Sequence, residues 1–265
     1  GKYPYENLIG GDGMQIQIDK RNPNIVFTGF QFGNYYRIDR ANNKRDYISP
    51  VQKKGEKPFR YNWQTPILLS SHNQEILYMG SNFLHRSMNQ GQTWTAISPD
   101  LTQGAKEGNV AFGTIAAISE SPLQFGLLYT GSDDGLVHVS KDGGATWNII
   151  SGNLPQNRWI SRVVASAHKK ERVYVTLNGY RNDDFTTYVY MSDDFGQTWI
   201  NIATNLPTSP VNVLVEDNVN EDVLYLGTDN GLYVSLNKGS LWNDFSNGIP
   251  NVAVHDLVIQ KKAKD

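Results

Sequence analysis

Four aspartates lie in short polar segments where carboxylate chemistry is feasible. Asp134 lies in SDDG, Asp183 and Asp184 are adjacent in YRNDDF, and Asp229 lies in TDNG. A glycoside hydrolase needs two carboxylates across the scissile bond, about 5–5.5 Å apart for retention of configuration and about 6.5–9.5 Å apart for inversion. These aspartates are therefore the candidate catalytic residues if the chain hydrolyses glycosides. Their spacing in the chain leaves open which of them face each other.

A second group of residues fits ligand binding better than catalysis. Trp63 and Trp159 each lie close to an arginine, just before a segment that we predict to be a strand. An aromatic platform beside arginines and carboxylates suits a sugar, a peptide terminus or another polar ligand. The alternative is that both tryptophans pack between sheets and that the arginines pair with the aspartates. The candidate ligand-binding residues are Arg60, Asn62, Trp63, Asp133, Arg158, Trp159, Arg162 and Arg181.

The octamer SKDGGATW (140–147) also combines an acid, a hydroxyl and an aromatic ring, but it recurs. Near copies are SMNQGQTW (87–94), SDDFGQTW (192–199) and SLNKGSLW (235–242). Asn89 and Asn237 replace the acid in two copies, and no bidentate glutamate follows as in an EF-hand calcium loop. The repetition therefore favours a structural turn over a metal site.

The residue types of the octamer suit a hairpin turn between two outer strands. An aspartate or asparagine accepts hydrogen bonds from backbone N–H groups, and glycine adopts positive φ where the chain reverses. The tryptophan covers the hairpin with a large apolar ring. In the two complete copies the structural residues are Ser140, Asp142, Gly144, Trp147, Ser192, Asp194, Gly196 and Trp199.

Four short strands recur at a regular interval around these octamers. Each repeat has an apolar run with an aromatic residue, found at positions 27, 78, 129, 174 and 225. An alternating strand precedes that run, another strand follows it, and a fourth follows the octamer, with turns rich in Gly, Asn, Asp and Pro. Units of this length and content are typical of propeller blades.

The chain is therefore predicted to be all-β, a single β-propeller segment over residues 1–265. VHDLVIQ (254–260) has the pattern of a blade's first strand, so we expect a sixth blade to begin in residues 254–265. The segment would then belong to a larger propeller, whose remaining blades come from the same or another chain. The predicted blades cover residues 14–48, 66–97, 114–150, 161–202 and 211–245.

Loops alternate between the two edges of a four-stranded blade. If the octamers lie at one edge, the loops between second and third strands and the links between blades lie at the other. The candidate catalytic and ligand-binding residues all fall in or beside those loops and links. We therefore expect function at the edge opposite the octamers.

Composition narrows the function classes further. The net charge is -2 and no basic stripe is present, so we expect no nucleic-acid partner. No apolar run is long enough to span a bilayer directly. The chain has no cysteine, and its five histidines have no metal-ligand spacing. We expect neither a metal nor a cofactor.

The octamer resembles the Asp-box, or BNR repeat, whose pattern is Ser-x-Asp-x-Gly-x-Thr-Trp. Asp-boxes occur in sialidases, xyloglucanase-like glycoside hydrolases, sortilin luminal domains and photosystem assembly factors, which are all β-propellers. More narrowly, the chain resembles bacterial sortilin-like proteins labelled "glycosyl hydrolase". That likeness rests on IGGDG (9–13), RYNWQTP (60–66), GSDDGLVHVSKDGGATW (131–147) and GTDNGLYVS (227–235), among other segments.

The resemblance implies the fold strongly and the function weakly, because one fold carries many functions. It is consistent with an exported protein located outside the cell, at the cell surface or in the periplasm. We expect a non-catalytic binding or scaffold module that recognises a protein, peptide or glycan through its loops. The alternative is a glycoside hydrolase that acts on a polysaccharide with a pair of Asp or Glu residues.

Overall fold

The computed structural model describes residues 7–108 and 110–260, and in these ranges the protein consists of five four-stranded antiparallel sheets. The chain divides into two compact units, residues 1–118 and 119–265. Each sheet is ordered as its strands follow in the chain, with every strand paired to its neighbour. This confirms the predicted all-β class and its four-stranded blades.

Blades 1 and 2 belong to the first unit. Their strands are β1 (Gln17–Ile18), β2 (Ile25–Phe30), β3 (Asn34–Asp39), β4 (Lys44–Tyr47), β5 (Ile67–Leu69), β6 (Leu77–Gly80), β7 (Leu84–Ser87) and β8 (Thr95–Ala96). Blade 3 starts with β9 (Ile115–Glu120), in which the division between the units falls. It continues with β10 (Leu128–Ser132), β11 (Val137–Ser140) and β12 (Asn148–Ile149).

Blades 4 and 5 belong to the second unit. Their strands are β13 (Trp159–Ala165), β14 (Val173–Asn178), β15 (Tyr188–Ser192), β16 (Ile200–Asn201), β17 (Val211–Glu216), β18 (Leu224–Thr228), β19 (Gly231–Ser235) and β20 (Trp242–Asp244). β13 starts two residues before the predicted blade boundary, because Trp159 and Ile160 pair with Asn178 and Leu177. The register then shifts between Ile160 and Arg162, so the strand is bulged there.

The repeated aromatic positions mark the core. Phe27, Tyr78, Tyr129 and Tyr174 are fully buried on the second strand of their blades. Second strands are covered on both faces, so nearly all their residues are buried, including the polar Thr28, Thr130 and Thr176. All four residues of β6 are buried, whereas both residues of the outer strand β8 are exposed.

The octamers form the turns between third and fourth strands, and their polar side chains bond within the turn. In the copy at 192–199, the Ser192 hydroxyl donates to Asp194 (2.7 Å) and accepts the N–H of Gly196 (2.8 Å). The Asp194 carboxylate also accepts the N–H of Thr198 (2.9 Å) and its hydroxyl proton (2.6 Å). These bonds close the turn with groups of the octamer itself.

In the octamers at 87–94, 192–199 and 235–242, the tryptophan indole N–H donates to a backbone carbonyl of the preceding blade. The indole N–H of Trp199 donates to the Ile150 carbonyl (2.7 Å), and that of Trp242 donates to the Ile202 carbonyl (2.7 Å). Trp94 makes the same bond to Ile48 in the first unit. The octamers therefore join successive blades as well as closing their own hairpins.

The octamer glycine packs against the same isoleucine. A Cβ built on Gly196 would lie 2.4 Å from Cδ1 of Ile150, and one on Gly239 would lie 2.8 Å from Cδ1 of Ile202. Only a residue without a side chain fits this space. Gly196 also has a φ of +86°, which L-residues rarely adopt.

Residues 251–260 have no regular secondary structure, so the sixth blade remains a prediction. The Val254 N–H donates to the Thr228 carbonyl (2.9 Å) just after Gly227. In the first unit, Ile115 at the start of β9 donates to Ser81 just after Gly80 (2.7 Å). Val254 thus repeats the contact that begins a new blade. Residues 261–265 lie outside the described residues.

Candidate functional site

Three of the four candidate catalytic aspartates are held by other groups. Asp134 is buried and accepts a hydrogen bond from the Ser132 hydroxyl within the β10–β11 turn. Asp229 accepts a hydrogen bond from the Asn212 amide (2.8 Å). Asp184 pairs with Arg158 (2.7 Å) and accepts the Tyr188 hydroxyl proton (2.8 Å). Asp183 is exposed, at the left-handed end of a short 3-10 helix.

The Asp184 carboxylate is strongly held in its ionised form. Burial acts to raise its pKa, but hydrogen bonds from Arg158, Thr186 and Tyr188 outweigh burial and place the pKa well below its usual value. A general acid must carry a proton near neutral pH. Asp184 therefore positions the β14–β15 loop and does not suit proton donation.

In the first unit, Arg60 and Asn62 connect segments of the chain. The Arg60 guanidinium bonds Asp100 (2.7 Å), Thr102 (2.9 Å) and the Gly113 carbonyl (2.9 Å). The Asn62 amide is buried and donates to the Thr114 hydroxyl (2.8 Å). Arg60 pairs with Asp100, a residue that the sequence did not single out for it. These contacts position the two links that flank blade 2.

Trp63 is half-exposed instead of packed between sheets. Its ring makes an edge contact with Phe32, with ring centroids 5.1 Å apart. Phe32 is also exposed and has a φ of +59°, a strained value for an aromatic residue. The two rings form a small aromatic patch on the first unit.

Arg162 bonds the segment after blade 5. Its guanidinium donates to Asp256 (3.0 Å) and to the His255 carbonyl (3.3 Å). It therefore fastens residues 255–256 to blade 4 and is occupied by that contact.

Three segments of the second unit meet beside β13. A Cβ on Gly135 of the β10–β11 turn would lie 3.0 Å from the backbone nitrogens of Asn157 and Arg158. Arg158 in turn bonds Asp184 of the β14–β15 loop. The turn after β10, the link before β13 and the loop after β14 are therefore in contact. This is the edge away from the octamers, as predicted.

Arg181 and Trp159 lie at this meeting point. The Arg181 guanidinium carbon lies 3.9 Å from the centroid of the Trp159 ring, a cation–π geometry. Although the residue is exposed as a whole, partial burial of its guanidinium lowers the pKa, and the nearby Asp133 carboxylate opposes this shift. Among the described residues the guanidinium has no ion pair within 4 Å and no hydrogen bond.

Two exposed aromatic residues lie in the same loop as Arg181, and sequence reasoning did not select them. Tyr180 is 60% exposed and Phe185 is 48% exposed, with ring centroids 6.0 Å apart. Both lie in the long β14–β15 loop. The length of this loop and its two aromatic residues are the sequence features that could have indicated a binding surface here. We call Trp159, Tyr180, Arg181 and Phe185 the Trp159–Arg181 surface.

The chemistry offered by this surface is recognition. A guanidinium presents planar N–H donors that match a carboxylate, and stacking on Trp159 fixes its plane. The aromatic rings supply apolar area at low entropic cost. Nowhere in the described ranges do three or more His, Asp or Glu side chains gather closely enough to hold a metal ion.

Comparison with known proteins places the chain in a family. The model of the DUF6242 β-propeller domain matches residues 68–253, most of the chain. The chain belongs to this family. The DUF6242 match confirms that the five sheets are propeller blades. No curated protein matches the DUF6242 chain significantly.

Solved propellers resemble the DUF6242 chain at low identity, which supports the fold alone. The Niastella koreensis GH74 enzyme is 20% identical with a TM-score of 0.63, over 88% of this chain and 38% of its own. The Xanthomonas campestris GH74 xyloglucanase is 16% identical with a TM-score of 0.64, over 86% and 37%.

An extracellular domain shows a similar degree of likeness. The extracellular domain of a B. thetaiotaomicron protein assigned as a one-component system is 16% identical with a TM-score of 0.62, over 99% of this chain and 32% of its own. The DUF6242 chain thus spans about a third of the length of these neighbours. No helix in residues 7–108 or 110–260 has the length and apolar character needed to cross a membrane.

Proposed function

We propose that the chain is a non-catalytic binding module of a larger exported protein, and that it binds a carboxylate-bearing protein or peptide at the Trp159–Arg181 surface. One observation carries the proposal. Arg181 is stacked on Trp159, yet its N–H donors have no hydrogen-bond or ion-pair partner among the described residues. A carboxylate would use two of these donors at once.

The composition of the surface favours a protein or peptide partner. Trp, Tyr and Arg are the residues most enriched at the energetic centres of protein interfaces. Here Tyr180, Arg181 and Phe185 lie in one loop, and Arg181 contacts Trp159 at the start of β13. The neighbouring Arg158–Asp184 pair holds the loop in place, which lowers the cost of ordering it on binding.

Export rests on the structural neighbours. One of them is the extracellular domain of a protein assigned as a one-component system, and this chain matches about a third of it. A propeller segment joined to further domains would act as the recognition part of such a protein.

Glycoside hydrolysis is the second candidate, because two of the similar structures are GH74 enzymes. It would depend on Asp183, which is exposed, and on Asp229, because Asp134 is buried and Asp184 is ion-paired. Xyloglucan and a panel of other polysaccharides would be incubated with the wild-type chain, Asp183→Asn and Asp229→Asn. Turnover that either substitution abolishes would replace the binding proposal with an enzyme.

The binding proposal is tested by selecting from a displayed random peptide library on the purified chain. We expect enrichment of peptides with a terminal carboxylate or an Asp or Glu next to an apolar residue. Arg181→Gln should lose these peptides, whereas Arg45→Gln, an exposed arginine of the first unit, should retain them. Equal binding by Arg181→Gln, or enrichment of peptides without acids, would overturn the proposal. A glycan array probed in parallel identifies a glycan ligand instead.

A further inference from the structure

A cleft of about 780 Å³ lies in the first unit, within the 300–1,000 Å³ range of small-molecule sites. Its walls are the link from Pro50 to Arg60, the end of the β6–β7 turn, and the outer strand β8. It is formed by blade 2 and the link before that blade. We call it the Phe59 cleft.

Aromatic rings form one wall of the Phe59 cleft, and they are held in fixed orientations. Phe59 makes edge contacts with Phe83 (5.8 Å between centroids) and with His85 (4.6 Å). His85 is buried and bonded to the Ser81 hydroxyl (2.8 Å), so the ring beneath Phe59 does not turn freely. The wall is therefore organised before any ligand arrives.

The link that closes the cleft is tied at both ends. The Tyr61 hydroxyl donates to the Pro50 carbonyl (2.8 Å). The Arg60 N–H donates to the Asn82 amide oxygen (3.0 Å), and the Arg60 guanidinium bonds Asp100 (2.7 Å). The segment between Pro50 and Arg60 is thus a loop with fixed ends.

The net charge of the cleft is positive, because three cationic side chains line it against two carboxylates. Asp100 is bonded by Arg60, Asn82 and Thr102. Glu56 accepts the backbone N–H of Lys53 (3.1 Å), which leaves its negative charge in place. The ammonium groups of Lys53 and Lys57 have no carboxylate within 4 Å among the described residues, so these two cations outnumber the one unpaired carboxylate.

We propose that the Phe59 cleft binds a small anionic molecule with a flat apolar face, whose ring packs on Phe59 and Phe83 and whose carboxylate pairs with Lys53 and Lys57. A uronic-acid sugar and an aromatic carboxylate share this chemistry. The cleft is large enough for a ligand of several rings, which makes a short acidic oligosaccharide the better match in size.

The test is titration calorimetry of the whole chain at low salt with three probes: trigalacturonate, phenylacetate and neutral maltotriose. We expect trigalacturonate or phenylacetate to bind and maltotriose to bind at least about tenfold more weakly. The double variant Lys53→Gln/Lys57→Gln should weaken anion binding by about tenfold, because each charge pair contributes modestly at an exposed site. Added salt should weaken it as well.

Lys54→Gln is the matched control. Lys54 lies in the same link and is exposed, but it does not line the cleft. Its removal should change the dissociation constant by less than about twofold, since it lowers the general charge and not the charge in the cleft. Phe83→Leu keeps the apolar volume and removes the ring, so it should weaken binding with the thermal transition retained.

Preference for trigalacturonate over phenylacetate identifies a sugar ligand, and the reverse identifies an aromatic acid. The proposal is overturned if neither anion binds at about 10 mM, if maltotriose binds as tightly, or if the double lysine variant binds like Lys54→Gln. The cleft and the Trp159–Arg181 surface share no residue and lie in different units. Either proposal can therefore fail while the other stands.

Discussion

Replacing Gly196 by alanine tests whether the octamers join neighbouring blades. Two effects add at this position. The left-handed backbone, with φ of +86°, costs an L-residue about 1–2 kcal/mol. The new Cβ would also lie 2.4 Å from Cδ1 of Ile150, and such overpacking costs about 1–3 kcal/mol. We expect Gly196→Ala to lower the free energy of unfolding by about 2–5 kcal/mol.

Gly248→Ala is the matched control. Gly248 has nearly the same backbone, with φ of +82°, but no atom lies within 4 Å of its built Cβ. It should therefore carry the backbone cost alone, about 1–2 kcal/mol. The difference between the two variants isolates the contact with Ile150.

A second substitution checks the partner directly. Ile150→Val removes Cδ1, the closest atom, and by itself costs about 0.5–1.5 kcal/mol. In the double variant, Ile150→Val should recover about 1 kcal/mol of the stability lost by Gly196→Ala, since the effects of substitutions at contacting residues are not additive. Urea unfolding followed by both circular dichroism and tryptophan fluorescence gives the values, and agreement of the two probes checks two-state behaviour. Equal losses for Gly196→Ala and Gly248→Ala, with no recovery by Ile150→Val, would refute the interblade contact.

Three further predictions follow from the turns and from the β14–β15 loop. Hydrogen bonds from the Thr146 and Thr198 side chains hold the pKa of Asp142 and of Asp194 at about 2, below the ordinary 3.8, so the stability that these carboxylates add is complete above pH 4 and is lost as the pH falls to about 2. The double variant Asp142→Asn/Asp194→Asn should therefore lose less stability than wild type between pH 5 and pH 2, as measured by urea unfolding. An equal loss in the variant and in wild type would contradict this. Trp199→Phe leaves the Ile150 carbonyl without its indole donor and should lower the free energy of unfolding by about 1–3 kcal/mol, measured by the same unfolding assay. Asp184→Asn removes the charge that orders the β14–β15 loop. The Thr186 N–H donates to Asp184 (3.0 Å), so it should exchange with deuterium faster in this variant than in wild type. The exchange rate of the Thr198 N–H, which donates to Asp194, should stay the same.

The blades were predictable because their signals are local and repeated. The aromatic at the second strand recurs, and four of its five members, Phe27, Tyr78, Tyr129 and Tyr174, are fully buried, whereas Tyr225 is partly exposed. One feature of the octamer was hidden, however. Its fourth position has positive φ in every copy, yet it holds Gln90, Gly143, Phe195 and Lys238, which share no side-chain property. A backbone requirement met by four unlike residues leaves no pattern in the sequence.

The binding surfaces were only partly predictable, because they depend on contacts between distant segments. Arg158 and Asp184 are both candidates from the sequence, which also leaves open that arginines pair with aspartates, and only the structure shows that these two lie 2.7 Å apart. Arg60 was assigned to ligand binding, and the structure pairs it with Asp100, which is 40 residues away. The Phe59 cleft left no sequence signal, since it depends on the path of a link that has no periodicity.

The contact between an octamer and the preceding isoleucine has a direction. Blade 4 carries both parts of the contact, the octamer with Trp199 on one side and the receiving Ile202 on the other, whereas blade 1 has only the receiving Ile48. Such a head-to-tail interface is complementary to a copy of itself. A duplicated gene segment that encodes a blade such as blade 4 would therefore carry both parts of this contact, and the copy could bond a blade on either side through the same pair of groups. The loops at the opposite edge take no part in the contact, so their sequences can change without altering it.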